Sequence, residues 1–134
     1  CQGWISQILP IYLKKAYNNE PFFANAKIVL MLDNEEYTKP FGTKFAEKLR
    51  IDGIANTDVR AIAGFPVGYE ELMRLAVDNS DAIVYASPQV NQHVMNYAET
   101  KGKPILPYEE CEDINGVCKR QWEFFQTLLD KTNE

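Results

Sequence analysis

Apolar residues recur at helical spacing from Trp4 to Tyr17, with Ile5, Ile8, Leu9, Tyr12, Leu13 and Ala16 marking the buried side, and this predicts a first helix. Lys14 and Lys15 suit its C-terminal end, where the helix dipole favours cations. Pro10 is compatible only if the helix begins near Ser6, which puts the missing N–H in the first turn. Asn18, Asn19 and Pro21 then stop it. The run from Lys27 to Leu32 is short, partly β-branched and apolar on both faces, which predicts a strand of a covered parallel sheet.

The remaining pattern alternates in the same way. Pro40 to Arg50 predicts a second helix through Phe41, Phe45, Ala46 and Leu49, ending at Gly53. Ile54 to Val67 reads as an irregular connection with a short helical turn around Asp58 to Ala63. Tyr69 to Asn79 carries Glu70 and Glu71 in its first turn and predicts a third helix. Ala82 to Ala86 is a second buried strand, and Ser87-Pro88 reads as the N-cap and first position of a helix continuing through Val90, Val94, Tyr97 and Ala98 to Gly102. Pro104 to Pro107 is a third short strand, followed by an acidic loop (Glu109, Glu110, Glu112, Asp113) and a terminal helix from about Gly116 to Lys131. Strands joined by helical crossovers predict an α/β fold with a parallel sheet.

Size and charge narrow the picture. With 134 residues, 46% of them hydrophobic, the chain has room for one domain with a modest core. Three strands make a thin sheet with exposed edges, and the chain opens on Cys-Gln-Gly-Trp without a leading strand, so residues 1–134 are expected to be a single partial domain. The exposed edge is expected to leave the piece marginal in stability or self-associating. A net charge of −5 provides no field to gather phosphate backbones or anionic membrane surfaces, so neither nucleic acid nor a membrane is expected as partner. Cys1, Cys111 and Cys118 are too few for a disulfide framework; two unrelated thiols are preferred over a Cys111–Cys118 bridge, and a cytoplasmic setting follows.

In open parallel sheets ligands gather outside the carboxyl ends of the strands, which nominates Asp33 to Tyr37, Ser87 with Pro88, and the loop after Pro107. Asp33 and Glu35 have the chemistry of bases or sugar-hydroxyl acceptors, against which stands a plain hydrogen-bonded turn. The helix start after Ser87 offers N–H groups to a phosphate or sugar hydroxyl, against which stands an ordinary cap. His93, the single histidine, lies beside an apolar stripe and reads as structural. One histidine and scattered cysteines make no closed zinc shell, and no Gly-x-Gly-x-x-Gly or Walker-type loop occurs, so no metal and no cofactor is expected. No catalytic residue stands out.

The opening Cys-Gln-Gly-Trp-Ile-Ser-Gln-Ile-Leu-Pro-Ile-Tyr-Leu-Lys-Lys resembles the stretch of bacterial glycogen and starch synthases where a strand runs into a His-Asp-Trp-type loop and a Pro-x-Tyr-Leu-Lys helix. Lys27 to Tyr37 resembles the next strand of that family with its Asn-x-x-Tyr turn, Arg50 to Ile54 its Leu-x-Gly segment, and Leu72 to Pro88 its helix, strand and Val-Ser-Pro turn. The likeness spans roughly residues 1 to 104, in particular to the short synthase-like proteins of Bacteroidetes-type bacteria. It implies two facing Rossmann-like domains, of which this chain would be the second half of the first. It further implies retaining transfer of glucose from ADP- or UDP-glucose, a nucleotide sugar, to the non-reducing end of an α-1,4-glucan. The first domain would serve mainly the acceptor and the cleft wall. Substrate contacts are then expected at Gln2, Gly3, Trp4, Asp33, Asn34, Tyr37 and Ser87.

The departures from the pattern weigh against turnover. Gln2 and Gly3 stand where the family loop usually carries His and Asp, and Asp33 where a His is usual. Glutamine can mimic a hydrogen bond of histidine but not its titration. The fragment is expected to be inactive alone, because transfer needs groups from both sides of a closed cleft. A non-catalytic glucan-binding relative is the first alternative, with Trp4, Tyr12 and Tyr37 as stacking surfaces or packing residues. A receiver or flavodoxin-like signalling domain is the second, prompted by Ser87 after one strand and Lys103-Pro104 at the next.

Overall fold

The computed structural model describes residues 1–111 and 113–130, so Glu112 of the acidic loop and Lys131 of the expected terminal helix lie outside the described residues. Three parallel strands, β1 (Val29–Leu32), β2 (Ala82–Tyr85) and β3 (Ile105–Leu106), form a sheet in sequence order. Val29 pairs with Ala82 and Leu32 with Tyr85, while Ile83 pairs with Ile105. A fourth strand is begun by Cys1 and Gln2, since the Cys1 nitrogen donates to Val29 O at 2.9 Å and Met31 N–H to Cys1 O at 2.9 Å. The chain therefore enters Gly3 from the carboxyl end of a strand beside β1.

Alternation along the strands sorts the two faces. Leu30, Leu32, Ile83 and Tyr85 point into the main core, which is closed by the helices on that side of the sheet. α1 changes pitch along its length, from a tight 3-10 segment (Trp4–Ile8) through one α turn (Leu9–Ile11) to wider π turns (Tyr12–Ala16). Pro10 falls at the start of the α turn, where its missing N–H costs little, although the helical backbone already begins at Trp4 rather than near Ser6. α3 (Tyr69–Asp78) is the central helix of this layer and buries six of its ten residues. Glu71 accepts the Gly68 N–H at 3.0 Å at its start. At its end the Lys103 ammonium donates to the carbonyls of Val77, Asp78 and Ser80 at 2.6, 2.9 and 2.6 Å, filling acceptors that a helix terminus leaves open.

The second face of the sheet carries Met31, Val84 and Leu106, which share a cleft with Val117, Arg120 and Gln121 of α5 (Ile114–Asp130). Leu128 is the one buried residue of that helix. Helices thus lie on both faces of a three-stranded parallel sheet, a partial three-layer α/β domain.

Two expected elements differ. The helix expected over Pro40 to Arg50 is only α2 (Phe45–Leu49), because Phe41 exchanges both backbone hydrogen bonds with Val67 at 2.9 Å and is held extended. The helix after β2, α4, is Gln92–Thr100 and its N-cap is Asn91, whose Oδ1 accepts the N–H groups of His93 and Val94. Ser87 and Pro88 are therefore not its cap and first position. Ser87 Oγ instead accepts Gln89 N–H at 3.1 Å in a local turn. Cys1, Cys111 and Cys118 are free thiols. No helix among the described residues is long and apolar enough to cross a membrane.

Candidate functional site

The strand exits place the expected site residues along one edge. Gly3 leaves the Cys1–Gln2 strand with φ 75° and ψ 150°, a region open in practice only to glycine. The turn is held from the following helix. Ser6 Oγ lies 2.7 Å from Gln2 O and 3.0 Å from Gly3 O, and the buried Gln7 donates its Nε2 to Gly3 O at 2.9 Å. The Gln2 side chain is thereby left exposed at the carboxyl edge of the sheet.

Two clefts meet at Gln2. One, of about 250 Å³, is lined by Gln2, Asp33, Ala86, Tyr108, Glu109 and Arg120 over a floor that includes Met31, Val84 and Leu106. The other, of about 330 Å³, is a shallower groove lined by Gln2, Gly3, Trp4, Ile5, Ser6 and Glu35. The structure brings Gln2 and Asp33 together in the first cleft and Gln2, Gly3 and Trp4 together in the second.

Asp33 accepts Asn34 N–H at 2.8 Å, which fixes the turn out of β1, and Asn34 is exposed. Glu36 accepts from Asn91 Nδ2 at 3.1 Å, joining the β1 exit to the cap of α4. Tyr69, buried at the start of α3, feels this acidic rim: burial, then Glu36, Asp33 and Glu35, push its phenol up to about 12. Ser87 stands at the β2 exit but lines neither cleft.

Tyr37 turns inward. Its ring lies 5.1 Å from Trp4, 5.1 Å from Phe41 and 5.9 Å from Tyr69, and its hydroxyl donates to Val67 O at 3.3 Å. Burial foremost, then Glu71 and Tyr69, raise its phenol far above the usual range, so it is a neutral donor at any physiological pH. Trp4 is half-buried in the same cluster and also borders the shallow groove. Tyr12 is half-buried against the core.

Sequence reasoning missed one wall. Arg120 Nη2 pairs with Glu109 at 2.7 Å and with Pro107 O at 3.4 Å, which brings α5 over the loop after β3 and adds Tyr108, Glu109, Arg120 and Gln121 to the first cleft. Glu109 was legible as part of the acidic loop after Pro107, which strand position nominated, but nothing local marks Arg120 as its partner. His93 is exposed on α4, away from both clefts. No group of three His, Cys, Asp or Glu among the described residues is placed to hold a metal ion.

A parallel sheet with helices on both faces is the arrangement of a partial Rossmann-like α/β domain, and the clefts at its strand exits lie where such sheets offer room to ligands. The family described as the starch synthase catalytic domain matches residues 1–105, and the chain belongs to that family. A glycogen synthase of Aeromonas salmonicida (strain A449) is 22% identical over 117 residues, covering 87% of this chain and 23% of the relative. A glycogen synthase of Aeromonas hydrophila subsp. hydrophila is 21% identical over 117 residues, with the same coverage of 87% and 23%. The chain thus spans about a quarter of the length of these curated relatives. No solved structure matches.

Proposed function

We propose that residues 1–134 are a single partial domain that forms one wall of the cleft of a glycogen- or starch-synthase-type glucosyltransferase. The full-length protein moves glucose from ADP- or UDP-glucose to an α-1,4-glucan in the cytoplasm, and the fragment alone is inactive. The observation that carries this reading is the meeting of Gln2 and Asp33, from two neighbouring strand exits, in one cleft at the carboxyl edge of the sheet. Gln2, Gly3, Trp4, Asp33 and Asn34 would face the sugars, with Ser87 beside them at the β2 exit. Tyr37 would act through the packing of Trp4. Transfer-state stabilisation must come from groups on both sides of a closed site.

A second reading, a glucan-binding relative without transfer, is favoured by Gln2 and Gly3 standing where the resemblance leads one to expect His and Asp. The full-length protein incubated with radiolabelled ADP-glucose or UDP-glucose and a maltooligosaccharide separates the two. Chain extension supports the synthase. Absence of extension with measurable glucan binding overturns it in favour of the binding protein.

A further inference from the structure

α2 buries Ala46 and Leu49, and the 3-10 turn Arg60–Ile62 with the residue before it buries Val59 and Ile62. The two segments pack against each other, but Ala46, Val59 and Ala63 are too small to fill the space between them, and a pocket of about 310 Å³ remains. Glu47, Arg50, Asn56, Thr57 and Arg60 complete its wall, and no residue of this pocket lines either cleft at the strand exits. The volume suits a small molecule, and most of the accessible wall is methyl and methylene surface.

The charge in the wall is not balanced. Arg60 has no hydrogen bond or ion pair among the described residues. Arg50 donates through Nη1 to the neutral Asn56 Oδ1, so its charge is also unpaired. Glu47 is the one carboxylate of the wall, and it forms no ion pair with either guanidinium. Asp58, in the same loop, is spent on Lys15 and the Ala55 N–H. Lys44 and Lys48 border a neighbouring groove and add to the positive potential. On a chain of net charge −5, this pocket holds two cations against one anion.

We propose that the pocket binds a small carboxylate with an apolar body, an aromatic or branched aliphatic acid. The carboxylate lies between Arg50 and Arg60, whose planar forks match its two oxygens, and the body covers Ala46, Val59 and Ala63. The guanidiniums select the anion. The methyl floor selects the body, because the hydroxyls of a sugar would lie against these three residues without partners. Glu47 opposes the ligand, and this gives the site a signature. Removing a cation weakens the carboxylate and removing Glu47 tightens it, whereas a pocket that recognised the body alone would respond to neither change.

Ligand-observed fluorine NMR of the full-length protein tests this with para-trifluoromethylbenzoate and its neutral counterpart para-trifluoromethylbenzamide. The benzoate is expected to bind about tenfold more tightly than the benzamide. Arg60→Gln is expected to weaken the benzoate about threefold to fivefold and Glu47→Gln to tighten it about twofold, with the benzamide unmoved in both. Because the two variants must shift affinity in opposite directions, a loss of structure cannot imitate the pair. Equal binding of the two probes, or binding of neither, overturns the proposal. So does a benzoate affinity that Arg60→Gln leaves unchanged, which would put the probe elsewhere on the protein. Inorganic phosphate that displaces the benzoate at equal concentration would overturn the role of the apolar floor.

Discussion

Lys14 and Asp81 join the end of α1 to the start of β2, the ammonium lying 2.8 and 2.7 Å from the two carboxylate oxygens. Asp81 Oδ2 also accepts the N–H of Ile28 at 2.7 Å, so one carboxylate holds a helix, the entry to β1 and the entry to β2. The two partners should differ in effect. Asp81→Ala leaves the Ile28 N–H without its acceptor and is expected to cost about 2 kcal/mol. Lys14→Met removes only a partly exposed ion pair, worth about 0.5 kcal/mol. Urea denaturation of the two variants checks this, and equal losses would mean that the ion pair, not the backbone anchor, is the stabilising contact.

Asp58 makes a second such link, and it titrates. Its Oδ2 accepts Ala55 N–H at 2.9 Å and its Oδ1 lies 3.1 Å from Lys15 Nζ. The Ala55 hydrogen bond first, then the bond to Lys15, hold the carboxyl below its ordinary value of 3.8. A carboxylate depressed in the folded state stabilises fully above its unfolded pKa and loses that contribution as pH falls through the folded one. The gap in stability between wild type and Asp58→Asn is therefore expected to be widest at neutral pH and to close in acid below the ordinary carboxylate range. Denaturation series at neutral and acid pH measure it, and a gap independent of pH would remove Asp58 from the acid response.

The reach of sequence reasoning was set by how local each signal is. The strands were legible because Val29 to Leu32 and Ala82 to Tyr85 are short apolar runs bounded by polar or turn residues; β2 is buried on both faces, as a covered parallel strand should be, and β1 on one face with the other half-buried. The cap of α4 was misread because Ser87-Pro88 and Asn91 are both good N-cap signals, and only the accepted bonds of Asn91 choose between them. α2 was overextended because Phe41 sits in helical phase with Phe45, while its partner Val67 is far along the chain and invisible to a local window. Lys103 suggested a receiver-like site, yet it precedes β3 and its ammonium is spent on the end of α3, at the opposite edge from the strand exits. Asp33 was legible from strand position and Gln2 only through the family resemblance, whereas the Arg120 wall depended on where α5 docks.

Restoring the resembled His-Asp-Trp loop should succeed at one position and fail at the next. Gln2 is exposed, so Gln2→His is expected to change stability by less than about 0.5 kcal/mol. Gly3 has φ 75°, and a Cβ there would lie 3.4 Å from Glu35 Oε2, so Gly3→Asp meets both backbone strain and a neighbouring carboxylate. Its expected cost is about 1–3 kcal/mol. Thermal unfolding of the two variants reads the difference, and a Gly3→Asp protein as stable as Gln2→His would mean that the loop can take another backbone path.

Tyr37 separates packing from sugar contact. Its ring touches Trp4, Phe41 and Tyr69, and its hydroxyl makes a long bond of 3.3 Å to Val67 O. Tyr37→Phe keeps the ring and is expected to cost no more than about 1 kcal/mol, while Tyr37→Ala opens the cluster and costs about 3 kcal/mol. Because Trp4 borders the shallow groove and leans on Tyr37, the alanine variant of the full-length protein should lose maltooligosaccharide affinity together with stability, and the phenylalanine variant should keep both. Calorimetric titration beside urea denaturation distinguishes the roles. A Tyr37→Phe protein of unchanged stability that binds glucan tenfold more weakly would show that the hydroxyl meets the sugar directly, and that the inward bond to Val67 yields when ligand arrives.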